Sequence, residues 1–166
     1  HLLSRRQRQM CIRDSRKVVE AGLLSLMTSY NEVDGVPCTG NKKLITDLVK
    51  DTWGFKGFVV SDLFSIDGMT GHGVAGDLKE AADLAFQAGV ESDLGGQAYR
   101  KLPELVKEGK VSEQQIDEAV KKILRLKFQW KLFDEPFTNP KNELSKAELN
   151  EHRALAREVA RQSIVL

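Results

Sequence analysis

Cysteine, proline and aromatic residues are all scarce in this chain. Two cysteines, Cys11 and Cys38, among 166 residues are too few for a disulfide framework and lack the clustered spacing of a zinc site. They leave the redox compartment open. Only four prolines accompany thirteen glycines, which excludes collagen-like and proline-rich spacer readings. No run of about 18 apolar residues occurs, so no segment is expected to span a bilayer. A length of 166 residues accommodates about one domain of 100 to 200 residues. It excludes a complete (β/α)8 barrel, which takes roughly 200 to 250. With 41% hydrophobic and 30% charged residues, the composition is that of a folded globular chain, not a disordered one.

The charge is unevenly placed. Residues 1–15 carry Arg5, Arg6, Arg8 and Arg13 against the lone acid Asp14, so a chain of net charge +1 concentrates its positive charge there and is net acidic beyond. Such an arm suits nucleic acid or an anionic surface, but it has no interleaved aromatics, no amphipathic period and no apolar signal-peptide core. It reads as non-native, adaptor-like sequence or a disordered arm, outside the fold.

From Arg16 onward, short apolar runs alternate with helical patterns, the pattern of βα units around a parallel sheet. Leu23 to Ser29 reads as a buried parallel strand. Residues 42–52 place Leu44, Ile45, Leu48 and Val49 on one stripe, a surface helix that Gly54 ends. Gly57 to Asp62 reads as a second strand, rich in β-branched and aromatic residues. A loop containing Gly68, Gly71, Gly73 and Gly76 follows. The spacing then predicts a helix over 77–88 with Asp77 as N-cap and Gly89 at its end. Val90 to Leu94 is a third short strand. Helices are expected over 98–108 and 112–129, the second opening on the capping box Ser112 to Gln115 and burying Ile116, Ala119, Val120, Ile123, Leu124 and Phe128. Residues 130–144 read as a connector. A last helix over 145–163 leads into a strand beginning at Ser163.

Asp62 is the first candidate for chemistry. A strand ending in Ser-Asp places a carboxylate at the C-terminal edge of a parallel sheet, where α/β folds gather catalytic groups. Position alone equally allows Asp62 to cap the next turn. Asn31 and Asp34 flank a Gly35 turn and suit Asx-turn chemistry. Trp53 fits packing of its helix against the sheet. Asp67 and His72 suit a solvated loop, and Glu91 and Asp93 end the third strand within reach of the site.

Four blocks in order, MTSYNEVDGVPCTGN, WGFKGFVVSD, AGVESDLGG and LPELVKEGKVSEQQIDEAVKKILRLKFQWKLFDEP, resemble the family 3 glycoside hydrolases over residues 16–166. The resemblance implies an α/β fold: the C-terminal part, about three βα units, of a (β/α)8 TIM barrel over residues 16–129, with a helical extension. A connector over 130–156 and the start of a following α/β domain over 157–166 complete the expected order. It assigns the nucleophile of a retaining, exo-acting β-glycosidase to Asp62 and places Tyr30 beside it. Ser61 is the other candidate contact with substrate, or else a cap of the strand end. The implied substrate is a terminal non-reducing β-D-glycosyl residue of a β-glucoside or oligosaccharide, with β-glucosidase ahead of β-xylosidase. Two carboxyl groups suffice for that cleavage, so no cofactor or metal is expected, and neither nucleic acid nor membrane is an expected partner.

Two departures from the family's pattern stand out. Leu63 follows the nucleophile where many members carry Trp or Cys, and Glu91 stands where an Asp is usual. The acid/base glutamate and the sugar-clamping residues of the first barrel half have no counterpart here. The chain is therefore expected to be a truncated piece, inactive alone, that depends on the missing barrel half and C-terminal domain of its parent. A periplasmic or extracellular location is the family's implication. The rival expectations are a nucleic-acid-binding protein using the arginine-rich arm and a non-catalytic sugar-binding relic keeping Tyr30 and Asp62.

Overall fold

The computed structural model describes residues 14–139 and 143–164. They divide into two units, residues up to Lys127 and residues from Phe128 onward. Most of the basic arm, residues 1–13, lies outside the described residues; Asp14 and Ser15 already belong to helix α1, over residues 14–20.

The first unit is α/β. Strand β1 (Ser25–Met27) is followed by a small antiparallel hairpin of β2 (Glu32–Val33) and β3 (Val36–Pro37). Its two loop residues, Asp34 and Gly35, have φ of 54° and 76°. Two successive positive φ angles match the right-handed strand twist, and Asp-Gly is a favoured pair for them. A 3-10 turn, Cys38–Gly40, leads to helix α2 (Lys43–Thr52). Helix α2 winds as a π-helix, its last turn closed by Trp53 N–H donating to the Leu48 carbonyl at 2.9 Å. Its stripe buries Ile45 and Val49, and Gly54, at φ 72°, supplies the left-handed exit expected of it.

Strand β4 (Phe58–Val60) pairs in parallel with β1, with Leu26 opposite Val59. Parallel pairing was legible in the sequence; burial of β1 was not. Met27 is 55% exposed, and β1 has β4 on one edge and no described strand on the other. The glycine-rich segment after β4 holds a one-turn helix, α3 (Ser65–Gly68), where a loop was expected. Helix α4 (Leu78–Ala88) starts on Asp77, whose side chain accepts from the Glu80 amide, and ends on Gly89 at φ 100°, both as its caps predict. Ala81, Ala82, Ala85 and Ala88 form its buried stripe. Small side chains there let the helix lie close to the turns Cys38–Gly40 and Ala98–Lys101.

The expected third strand is reduced to one parallel bridge, Val60 to Ser92. The Val59 carbonyl accepts from both Glu91 N (2.9 Å) and Ser92 N (3.1 Å), while the Glu91 carboxylate takes the Val59 amide at 2.7 Å. Side chain and doubled acceptor thus replace a regular ladder. The helix expected over 98–108 is a 3-10 turn, Ala98–Lys101, running into α5 (Leu102–Lys107). Pro103 lacks an amide hydrogen and suits the first turn of α5 rather than a helix interior. Helix α6 (Glu113–Gln129) opens on reciprocal bonds between Ser112 and Gln115, the predicted box. Its expected apolar stripe is mostly uncovered: Ala119 is buried, whereas Val120, Leu124 and Phe128 are exposed.

The second unit, from Phe128, contains a turn in which the Phe128 and Phe133 rings lie 4.7 Å apart. Its helix α7 (Lys146–Ser163) starts on a full capping box between Ser145 and Glu148. Helix α7 runs unbroken through 156–157, where a domain boundary was expected, and includes Ser163, where a strand was expected. Ile164 is extended, and residues 165–166 lie outside the described residues. Among the described residues no helix is long and apolar enough to cross a membrane.

Candidate active site

The site grows from the point where the chain leaves β4. Thr28 N donates to Val60 O at 3.0 Å and Ser61 N to Ser92 O at 2.8 Å, so the backbone is held by neighbours on both sides up to Ser61. Asp62 is the first residue beyond them. Its amide donates to the Thr28 hydroxyl at 3.3 Å, its carbonyl accepts from Ser65 N at 3.0 Å, and its Oδ1 accepts from Leu63 N at 2.7 Å. The carboxylate is half-buried at the C-terminal edge of the strand. Two residues later Phe64 holds a left-handed conformation, φ 56°. A bulky side chain there costs of order 1 to 3 kcal/mol, a kind of strain that gathers where surrounding structure fixes a functional turn.

Tyr30 follows β1 and reaches the same turn. Its hydroxyl donates to the Leu63 carbonyl at 2.6 Å. Loss of hydration raises the phenol pKa above 10.0, and the charge and hydrogen bonding of Asp62 raise it further. Tyr30 and Asp62 therefore feel each other, with the ring 53% exposed at the rim. Ser61 points the other way. It is 0% exposed; its Oγ accepts from Leu94 N at 2.8 Å and bonds to Asp93 at 3.4 Å. Its side chain fastens β4 to the segment carrying Asp93, the strand-end role.

Asp67 and Asp93 meet behind this turn. Asp67 accepts from the Gln97 and Ala98 amides at 3.0 Å, so it anchors the 3-10 turn instead of standing solvated in a loop. A Cβ placed on Gly96 would come within 2.6 Å of both Asp93 oxygens and 2.8 Å of Asp67 Oδ1; only glycine lets the two carboxylates close over the backbone. Burial, and then the Asp67 charge, raise the Asp93 carboxyl pKa against the lowering effect of the Tyr99 and Gly96 amides. Tyr99 is pushed well above 10.0 by burial; its hydroxyl bonds to the Val90 carbonyl at 2.5 Å.

Glu91, expected near the site beside Asp93, is turned away from it. Its carboxylate is 7% exposed and receives Lys50 and Lys122, each at 2.6 Å, together with the Val59 amide. Burial lowers the Lys50 pKa from 10.5, and Glu91 opposes that shift. His72 does have a partner, Glu32 of β2, with Nδ1 and Oε1 2.5 Å apart, which ties the glycine-rich segment to the hairpin. Trp53 packs half-buried against the core, as expected. Among the described residues no group of His, Cys, Asp and Glu is disposed to hold a metal.

Sequence reasoning missed three buried hydroxyls under Asp62. Thr28 Oγ1 lies 2.8 Å from Thr39 Oγ1, which lies 2.9 Å from Ser65 Oγ. Their residue types carried the signal, but their spacing along the chain is aperiodic.

Comparison with known proteins identifies a family and relatives. Residues 7–126 match the model of the glycosyl hydrolase family 3 N-terminal domain. A periplasmic beta-glucosidase of Salmonella typhimurium is 38% identical over 154 residues, 89% of this chain and 20% of that protein. A putative beta-xylosidase of Formosa agariphila is 38% identical over 151 residues, covering 90% and 20% respectively. The crystal structure of a beta-glucosidase from Listeria innocua with glucose superposes with a TM-score of 0.78 at 35% identity, covering 84% of this chain and 20% of that one. The chain thus spans about a fifth of the length of these relatives.

Proposed function

The chain belongs to glycosyl hydrolase family 3, and from that premise we propose that it carries the nucleophile, Asp62, of a retaining, exo-acting β-glycosidase. The observation that carries this reading is a carboxylate at the C-terminal edge of parallel β4, its main chain fixed on both sides and Tyr30 beside it. In the proposed reaction Asp62 attacks the anomeric carbon of a terminal β-D-glycosyl residue. The bond to the leaving oxygen breaks, and water later releases the sugar from the covalent intermediate. Tyr30 orients the turn through the Leu63 carbonyl and holds its proton near neutral pH, since its pKa is raised.

Retention needs a second carboxyl about 5 Å from the first as proton donor. Asp67 is committed to the amides of residues 97 and 98. Asp93, although its pKa is raised, faces Ser61 and the amides of Gly96 and Tyr99. Neither is free to protonate a leaving group, so the proposed acid comes from another part of the parent enzyme and the 166-residue chain is inactive alone. Parallel β1, β4 and the Ser92 bridge, with the helices between them, are read as three βα units of a (β/α)8 barrel over residues 16–129. Residues 130–156 are read as the connector and 157–166 as the start of a further domain. A β-glucoside is the favoured substrate and a β-xyloside the alternative, since relatives of both names match. A periplasmic or extracellular location follows the Salmonella relative's name.

The test is covalent labelling. The full-length natural protein that carries these residues, incubated with a 2-deoxy-2-fluoro glucoside and digested, yields a mass-shifted peptide modified at Asp62. A label on any other residue overturns the assignment.

A further inference from the structure

The three hydroxyls beneath Asp62 form a chain that begins and ends on that residue. Asp62 N–H donates to Thr28 Oγ1 at 3.3 Å; Thr28 Oγ1 and Thr39 Oγ1 are 2.8 Å apart; Thr39 Oγ1 and Ser65 Oγ are 2.9 Å apart. Ser65 N–H donates back to the Asp62 carbonyl at 3.0 Å. The members come from three separate segments: the end of β1, the 3-10 turn Cys38–Gly40 and the start of α3. All three are buried, Thr39 to 1% exposure. One consistent polarity has Thr28 accepting from Asp62 and donating to Thr39, which donates to Ser65.

Core packing alone does not call for this arrangement. Valine and alanine would fill the same space without dehydrating three hydroxyls, and a buried hydroxyl is costly unless bonded. A satisfied buried polar network fixes one geometry where apolar contacts tolerate several. What it fixes here is the main chain on both sides of Asp62, within a turn that also holds Phe64 at φ 56°. An apolar contact restrains a turn by volume. A closed ring of directional bonds also restrains the direction in which its Cα–Cβ bond points.

We propose that Thr28, Thr39 and Ser65 are positioning residues that aim the Asp62 carboxylate at the anomeric carbon, with Thr39 as the central member. The proposal rests on the reading of Asp62 as nucleophile. Thr39 joins both halves of the chain, so its loss disconnects Thr28 from Ser65. Displacements of well under 1 Å matter for such a group, since a misplacement of about 1 Å can cost a hundredfold in rate.

Thr39→Val keeps the volume and removes the hydroxyl; Thr39→Ser keeps the hydroxyl and removes a buried methyl. In the full-length natural protein, Thr39→Val slows labelling of Asp62 by a 2-deoxy-2-fluoro glucoside about tenfold, and lowers kcat for an aryl glucoside more than it raises KM. Thr39→Ser restores both to within about twofold of the parent. A role in packing alone ranks the two variants the other way, with valine the better substitute. Ser65→Ala, which opens the ring at its far end, also slows labelling and decides the matter if Thr39→Val does not fold. Labelling of Asp62 at the parent rate in Thr39→Val or Ser65→Ala, or serine worse than valine at 39, overturns the proposal and leaves the nucleophile assignment standing. A parent protein labelled at another residue overturns both.

Discussion

Replacing Glu91 by alanine tests the electrostatic logic of the region below β4. In the folded chain the Glu91 carboxylate holds three donors: Lys50 Nζ, Lys122 Nζ and the Val59 amide. Lys50 is deeply placed, with a side chain 14% exposed, and its remaining acceptor is the Gly89 carbonyl. Glu91→Ala therefore strands a cation in a low-dielectric corner and leaves the buried Val59 amide without its acceptor. Breaking one side of a buried ion pair costs about 3 to 5 kcal/mol. An unsatisfied buried amide is worth about 1 to 3 of that. Lys122 is a third exposed, so its own replacement by methionine costs less than about 1 kcal/mol.

The pH dependence gives the mechanism a second handle. Burial already lowers the Lys50 pKa below 10.5, and Glu91 is the main influence raising it. At Lys50 the unfolded chain thus binds more protons than the folded one in the alkaline range. The Lys50 contribution to wild-type stability accordingly rises with pH there, and its gain is complete once pH passes 10.5. Without Glu91 the Lys50 pKa falls further, so neutral Lys50 appears at lower pH and the penalty shrinks as pH climbs. Urea unfolding of the 166-residue chain, followed by Trp53 fluorescence, would show the variant's deficit largest near about pH 7 and smaller near about pH 10. Adding Lys50→Met to Glu91→Ala recovers the share that comes from the orphaned charge and leaves the share of the unpaired Val59 amide. A deficit under about 1 kcal/mol at neutral pH, or one that stays constant to pH 10, would refute the reasoning.

Gly57→Ala places a Cβ on the Leu24 carbonyl oxygen and against the Phe55 ring. Backbone on backbone cannot move aside without parting β1 from β4, so the variant loses more than about 3 kcal/mol; a thermal melt within a few degrees of the parent would contradict this. Asp77→Ala removes the N-cap of α4. The Glu80 amide, above all, holds the Asp77 carboxyl below its ordinary 3.8, so its stabilisation is present above that value and is lost as pH falls through the lowered pKa. Melts of parent and variant should differ at neutral pH and converge in acid, and a gap that persists in acid would count against the cap.

Local signals carried most of the fold that the sequence disclosed. Asp77 and Gly89 bracket α4, Ser112 and Gln115 open α6, and the apolar runs at β1 and β4 pair in parallel, because caps and short apolar strands are decided by residues a few positions apart. The failures share a cause of the opposite kind. Glu91 and Asp93, two positions apart, belong on one face of any regular strand. Only Ser92 makes a bridge, so that alternation does not hold. One carboxylate turns to Lys50 and Lys122, the other to Ser61 and Tyr99. Burial of the apolar residues on β1 and α6 failed likewise: periodicity identifies the apolar face of an element, while its cover comes from elsewhere in the fold. The Thr28, Thr39 and Ser65 contacts join residues 11 and 26 positions apart, and nothing periodic links them. The Asp62 edge was therefore legible as a location, while the bonds that orient its main chain appear only once three distant turns are brought together.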